Sequence, residues 1–146
     1  MFAGSYPLII DDKGRLAIPT RFRAQLADDY GPQVYITRSY QQCLEIYPAN
    51  VFKELADQIR DMSDRRAADQ LNRIFIGSAA ETEIDKQGRV LLPQLLRKFA
   101  RLNGSVVLVG QINRFDVWSE ELYSEKFGDG GSATENLDEV FALIKR

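Results

Sequence analysis

Two arginines are candidate ligand-binding side chains, because each ends the same short motif in a different half of the chain. The motif Asp-x-x-Gly-Arg runs from Asp11 to Arg15 and again from Asp85 to Arg89. A guanidinium presents a planar fork of donors that fits phosphate groups and the O6 and N7 atoms of guanine. We therefore expect Arg15 and Arg89 to contact a ligand.

A lysine accompanies each motif, but at a different position. Lys13 directly precedes Gly14, whereas Gln87 precedes Gly88 and the nearby lysine is Lys86. Lysine contacts phosphates as a point charge. Because the basic residue moves by one place, the two motifs need not contact the same bases.

The other residues of the motif predict a tight turn. Gly14 and Gly88 are expected to adopt a positive φ that closes it. Asp11 and Asp85 are expected either to accept backbone N–H groups across the turn or to pair with the arginine. These four residues are therefore assigned turn-forming, structural roles.

The composition argues against catalysis. The chain has no histidine and a single cysteine, Cys43, so neither a Ser-His-Asp triad nor a zinc set of Cys and His can form within it. Adjacent carboxylates such as Asp11 and Asp12 have no nucleophile, metal set or phosphate loop beside them. We expect no enzyme activity, catalytic residue, metal or cofactor; an enzyme would need a deep pocket holding a carboxylate with a raised pKa. Cys43 is predicted to be a small buried hydrophobe.

Charge is distributed unevenly along the 146 residues, whose formal net charge is −2. Residues 11–23 carry four basic and two acidic side chains, and residues 85–101 carry five basic and one acidic, so both motifs lie in basic segments. Residues 116–146 hold eight acidic and three basic side chains. No signal-like segment or membrane-length apolar run is present, which predicts a cytoplasmic protein.

The repeat extends beyond the turn and predicts a duplicated unit. Residues 10–19 recur 74 residues later as residues 84–93. The matched order is hairpin, helix, strand, strand, helix. Strands are predicted at 8–10 and 15–18 and at 82–84 and 89–92, and helices at 19–27, 51–62, 64–75, 93–102 and 135–144. Pro19 and Pro93 are predicted to occupy the first helical position.

Two apolar sets have alternative interpretations. The aromatic residues of the strands and loops could stack on single-stranded nucleic acid, but core packing is favoured; they are Tyr35, Tyr40, Tyr47, Phe115 and Trp118. One face of the last helix either folds onto the core or contacts another subunit; it comprises Leu137, Val140, Phe141 and Ile144.

Five segments together resemble the MraZ family, and the match spans nearly the whole chain. They are Met1-Phe2-x-Gly4, Asp11-x-Lys13-Gly14-Arg15-Leu16-x-x-Pro19, Cys43-Leu44-x-Ile46-Tyr47-Pro48, Gly77-Ser78-Ala79 and Asp85-x-Gln87-Gly88-Arg89-x-x-x-Pro93. The resemblance, which places the chain with AbrB and SpoVT-like swapped-hairpin proteins, implies an α+β fold. Two tandem swapped-hairpin β-α-β-β repeats, residues 1–76 with connector helices and 77–146 with a C-terminal helix, would close a small pseudo-dimeric β-barrel with flanking helices.

The same resemblance implies a function. The family comprises bacterial DNA-binding regulators associated with the division and cell-wall gene cluster, whose chains assemble into rings. Carried over by position, it places DNA contacts at Lys13, Arg15, Lys86 and Arg89. We expect a homo-oligomeric ring, associated with the nucleoid, that binds double-stranded DNA at tandem short repeats, including the protein's own promoter. The alternative is a ring-forming scaffold or protein-interaction module whose arginines make intersubunit salt bridges.

Overall fold

The computed structural model describes residues 1–146 and has a mixed α+β fold. The strands are β1 (Ser5–Ile9), β2 (Arg15–Ala17), β3 (Gln33–Arg38), β4 (Leu44–Pro48), β5 (Ala80–Glu83), β6 (Arg89–Leu91), β7 (Ser105–Gly110) and β8 (Phe115–Ser119). The α-helices are α1 (Thr20–Asp29), α2 (Ala49–Arg60), α3 (Arg65–Leu71), α4 (Gln94–Phe99), α5 (Glu120–Phe127) and α6 (Leu137–Phe141). A π-helix, Asn72–Ile76, continues α3, and a 3₁₀ helix, Ser132–Thr134, precedes α6. None of the helices combines the length and apolar character needed to cross a membrane.

Strands from the two halves are interleaved in one antiparallel sheet. Its order is β1-β7-β8-β4-β3-β5, so each half contributes a hairpin, β3–β4 or β7–β8, and lends its first strand to the other half. Ser5 of β1 lies opposite Val109 of β7, and Gln33 of β3 lies opposite Glu83 of β5. The two halves are therefore interleaved through backbone hydrogen bonds. The edge strands of this sheet are β1 and β5; closure into a barrel stays a prediction.

The strands that flank each motif do not pair with each other, which corrects the predicted hairpin. Two backbone hydrogen bonds, from Asp11 N to Arg15 O and from Gly14 N to Asp11 O, both at 3.0 Å, close the first turn. Beyond it, β1 pairs with β7, while β2 pairs with β6 in a separate two-stranded ribbon. The periodicity predicted the strands and the turn, but period-two patterns do not identify the partner strand.

The main hydrophobic core joins the two halves. Its 19 buried residues include Leu16 and Val90 of the β2–β6 ribbon as well as Phe2, Phe22 and Phe115, whose rings lie within 6 Å of one another. Leu16 and Val90 face each other in the register and are both fully buried. The ribbon is thus fixed to the sheet by its inner side chains.

The helix ends differ in detail from the predictions. Pro19 and Pro93 are N-cap residues rather than first helical residues, because their ψ angles of 142° and 145° are still extended. Asp64 caps α3 by accepting a hydrogen bond from the backbone N–H of Ala67 at 3.1 Å. The last helix is shorter than expected: Asn136, with φ of +57°, lies outside it and the helix ends at Phe141.

Most of the aromatic side chains pack as predicted. Tyr47, Phe115 and Trp118 are buried. Tyr35 is half-buried and its ring stacks on Phe52 with a centroid separation of 4.4 Å. For Tyr40 the core prediction is wrong, because it lies in the loop between β3 and β4 and is 93% exposed.

Cys43 is buried, as predicted. Its side chain belongs to a small cluster with Val107, Val109 and Trp118. Burial raises the pKa of this thiol to about 12. The cysteine is therefore a neutral packing residue near pH 7.

Truncation of the buried side of the ribbon should destabilise the whole chain. We expect Leu16→Ala to lower the free energy of unfolding by about 2–5 kcal/mol, because it removes a fully buried side chain from a core shared by both halves. The matched control Leu91→Ala, on the exposed side of the same ribbon, should change it by less than about 0.5 kcal/mol. Urea unfolding measures both, and separate transitions for the two halves would contradict the shared core.

Candidate nucleic-acid interface

The first turn is held by its aspartate. Asp11 Oδ1 accepts hydrogen bonds from the backbone N–H groups of Lys13 at 3.0 Å and Arg15 at 2.9 Å. Asp11 Oδ2 accepts from Arg15 Nε at 2.7 Å. Gly14, with φ of +85°, donates its N–H to the carbonyl of Asp11 at 3.0 Å. Both roles considered for the aspartate, backbone acceptor and arginine partner, are therefore present in one side chain.

The second turn has the same geometry. Asp85 Oδ1 accepts from the backbone N–H groups of Gln87 and Arg89 at 2.9 and 2.8 Å, and Oδ2 accepts from Arg89 Nε at 3.1 Å. Gly88 has φ of +80°. The predicted turn geometry is thus found at all four structural positions, and both arginines leave the backbone with a fixed direction.

The β2–β6 ribbon presents both arginines on one face. Arg15 lies opposite Leu91, and Arg89 lies opposite Ala17, while the intervening Leu16–Val90 pair points into the core. Because side chains alternate along a strand, the two arginines share the outer face. Diagonal neighbours across an antiparallel pair are about 7–8 Å apart. One ribbon therefore brings together two guanidinium groups that are far apart in sequence.

The two arginines differ in which guanidinium nitrogens remain free to bind a ligand. Arg15 makes no side-chain hydrogen bond within the chain other than the one from Nε, so its two terminal nitrogens stay available for a ligand. Arg89 also donates from Nη2 to Gln87 Oε1. Lys13 and Lys86 are exposed beside the arginines. The lysine–glutamine difference seen in the sequence thus changes the hydrogen bonding of the guanidinium itself.

Two further arginines pack against the turns and were not singled out from the sequence. A Cβ atom added to Gly14 would lie 2.5 Å from Cζ of Arg97, and one added to Gly88 would lie 2.5 Å from Nε of Arg23. Arg23 and Arg97 are 74 residues apart, the same offset as the repeated motif. That shared offset was the available signal, although each residue alone resembles an ordinary charged residue on a helix.

A second charged cluster lies away from the ribbon. Arg114 Nε is 3.3 Å from Glu45 Oε2 and 3.0 Å from Asp116 Oδ1, and the Tyr47 hydroxyl donates to Glu45 Oε1 at 2.9 Å. Burial raises the pKa of Glu45 and of Asp116, despite the neighbouring Arg114 guanidinium. Sequence reasoning missed this cluster, which β4 and β8 bring together as paired strands.

Glu45 lines a groove of about 940 Å³ and therefore bears on the enzyme alternative. Both of its carboxylate oxygens already have partners within the chain, Tyr47 and Arg114. A general acid or base must reach a substrate proton within hydrogen-bonding distance. The geometry instead fits a buried ion pair that joins the hairpins of the two halves.

The turn carboxylates should titrate below the ordinary range of aspartate. The pKa of Asp11 is lowered chiefly by the hydrogen bond from the Arg15 backbone, and that of Asp85 by the equivalent bond from Arg89. A lowered folded-state pKa stabilises the turns above the ordinary aspartate pKa, and this stabilisation is lost as the pH falls through the folded value. We expect carboxyl NMR titrations to show midpoints below 3.8 for both residues. A midpoint at or above 3.8 for either would contradict this, and Asp116, whose pKa burial raises, is the internal contrast.

Comparison with known proteins agrees with the duplicated architecture. The family model described as MraZ protein, antitoxin-like, matches residues 1–74 and again residues 75–134. A protein of Legionella pneumophila named "Transcriptional regulator MraZ" is 41% identical over 145 residues, covering 95% of each chain. Proteins with the same name from Methylococcus capsulatus and Alcanivorax borkumensis are 41% and 39% identical over 124 and 144 residues, covering 84% and 96% of this chain and 82% and 99% of their own. On the family match to both halves and on these identities, the chain belongs to the MraZ family.

Proposed function

We propose that the protein is a transcriptional regulator that binds double-stranded DNA sequence-specifically through the two turns of the β2–β6 ribbon. The single observation that supports this most is the register of the ribbon, in which Arg15 and Arg89 are diagonal neighbours on its outer face. A two-stranded β-ribbon fits the major groove of B-DNA. The family membership and the name shared by the relatives agree with regulation of transcription.

The two arginines and the two lysines would contact different parts of the DNA. Arg15, with both terminal nitrogens available, suits bidentate contact with guanine O6 and N7. Arg89, restrained by Gln87, presents a smaller set of free donors. Lys13 and Lys86 are exposed at the turn tips and suit phosphate contacts, which orient the protein without reading sequence. The proposed function uses these side chains only for binding and is therefore non-enzymatic.

The proposed target is the bacterial division and cell-wall gene cluster, including the promoter of the protein's own gene. Membership of the MraZ family supports this choice. Such a protein would act in the cytoplasm at the nucleoid. The division into repeats at residues 1–76 and 77–146 belongs to the same proposal, because each repeat would contribute one basic turn.

We also propose that chains assemble into a homo-oligomer that binds DNA through several ribbons at once. A ring is the closed form of such an assembly. The supporting observation is the apolar face of α6 and the turn after it, which is exposed in the single chain. It comprises Leu137, Val140, Phe141 and Ile144, between 42% and 57% exposed. Linked ribbons on tandem DNA repeats would bind at high effective concentration, so that each contact can be modest.

The scaffold alternative uses the same arginines differently. If Arg15 and Arg89 made intersubunit salt bridges, their guanidinium groups would need carboxylates from a neighbouring chain. Each guanidinium already has a carboxylate partner within its own turn, Asp11 or Asp85. The nitrogens that remain free can bind any acceptor, and the family membership is what favours DNA over a neighbouring carboxylate.

Loss of both arginines should weaken DNA binding without unfolding the chain. We expect Arg15→Ala with Arg89→Ala to cost about 1–3 kcal/mol of binding free energy per arginine on DNA upstream of the gene, because each can make a bidentate contact. The matched control is Lys53→Ala with Arg66→Ala, which removes the same charge from exposed helical positions. Fluorescence anisotropy at fixed salt measures both variants, and light scattering checks assembly size. Unchanged DNA affinity in the arginine variant would overturn the mechanism, and loss of assembly with intact folding would favour the scaffold.

Charge on the C-terminal apolar face should reduce assembly size. We expect Val140→Glu with Phe141→Glu to shift the protein towards smaller species in sedimentation velocity, because buried carboxylates would be unpaired in an apolar contact. Glu139→Gln, on the opposite side of α6, is the control. Assembly that is insensitive to the double substitution would place the subunit contact elsewhere.

A further inference from the structure

An arginine from the other half of the chain packs against each of the two Asp-x-x-Gly-Arg turns. Arg97 of α4 packs over Gly14, and Arg23 of α1 packs over Gly88. Real Cβ atoms do not make contacts of the 2.5 Å that an alanine would require at either place. Both glycines are buried although they lie in turns. The positive φ is what restricts each position to glycine, because a guanidinium at the end of a flexible side chain could move aside; the close approach shows that each arginine packs directly on the turn.

Backbone hydrogen bonds reinforce this crossed arrangement. Leu92 N–H donates to the carbonyl of Gly14, and Ile18 N–H donates to the carbonyl of Gly88, both at 2.9 Å. Arg97 Nε in turn donates to the carbonyl of Leu92 at 2.8 Å. Arg97, Leu92 and Gly14 are thus linked in one connected network that leads from the second half to the first turn.

The guanidinium groups face the protein more than the solvent. Arg23 and Arg97 are half-buried, and Arg23 donates from Nη2 to Thr20 Oγ1 at 2.9 Å. Arg23 Nε is buried without a hydrogen-bond partner, whereas Arg97 Nε has one. Each guanidinium is thus bonded within its own half, Arg23 to Thr20 and Arg97 to Leu92, and meets the turn of the opposite half by packing against its glycine.

We propose that Arg23 and Arg97 are positioning residues that act across the repeat, each holding the DNA-contacting turn of the opposite half. Arg97 acts through Gly14 on Arg15, and Arg23 acts through Gly88 on Arg89. The inference rests on the proposed function, because it assigns these residues a part in DNA recognition. Its distinctive feature is the crossed pattern: a change in one half alters the contact made by the other half.

Amide hydrogen exchange of the full chain without DNA tests the positioning directly. In Arg97→Met we expect the amides of Gly14 and Arg15 to exchange at least about twofold faster, because the turn loses the packing of Arg97 and the bond that holds Leu92 beside Gly14, while those of Gly88 and Arg89 stay unchanged. Arg23→Met should give the reverse. Lys98→Met and Arg21→Met are the matched controls, because each removes an exposed positive charge from the same helix. Uniform acceleration in both turns, or acceleration only in the variant's own half, would overturn the proposal.

A double-mutant cycle in DNA affinity tests the consequence for recognition. Arg97→Met and Arg15→Ala should be non-additive by at least about threefold, whereas Arg97→Met and Arg89→Ala should be additive. Arg97→Lys, which keeps the charge but loses the planar fork, should resemble Arg97→Met. Additivity in both cycles, or full rescue by lysine, would overturn the positioning role. Absence of DNA binding by the unaltered chain would overturn the proposed function instead, and the exchange experiment would still report whether the arginines hold the turns.

Discussion

The pairing of Leu16 with Val90 across the β2–β6 ribbon is the contact on which the arrangement of the site depends. These two side chains are fully buried and join the core shared by both halves. Because residues alternate along a strand, burial of this pair forces Arg15 and Arg89 to the outer face. This pairing also joins the two chain halves, in which β1 pairs with β7 and β5 pairs with β3. Core packing therefore decides where the charged groups point.

Local features of this fold could be predicted from the sequence, whereas long-range partners could not. The turns at Asp11 and Asp85 follow from interactions within five residues, which the motif itself contains. The partner of β1 is about a hundred residues away, and its alternating pattern would suit β2 equally well. Arg23 and Arg97 were missed for the same reason, because the glycines they pack against lie in the opposite half. Tyr40 was misassigned because an aromatic residue near a strand end has no local mark of exposure.

The acidic composition is compatible with a cationic site because charge acts locally. At physiological ionic strength, exposed charges separated by more than about 8 Å are largely screened from each other. The acidic side chains of residues 116–146 therefore do not cancel the field beside the ribbon simply by their number. Asp11 and Asp85 do lie within range, but they orient the arginines through Nε and leave the outer end of Arg15 free. The net charge of −2 thus describes the chain and not the site.

The repeated sequence gives the two turns the same position in each half, whereas single-residue differences determine which guanidinium nitrogens of each turn are free. In the first turn, Lys13 leaves the Arg15 fork free, and Arg97, which covers Gly14, is itself hydrogen-bonded to Leu92. In the second, Gln87 occupies one nitrogen of Arg89, and the covering Arg23 has a buried Nε without a partner. A free fork on a firmly held turn is the combination that bidentate base contact requires, because geometric precision determines discrimination between bases. The two repeats therefore carry turns with the same backbone and unequal sets of free arginine donors.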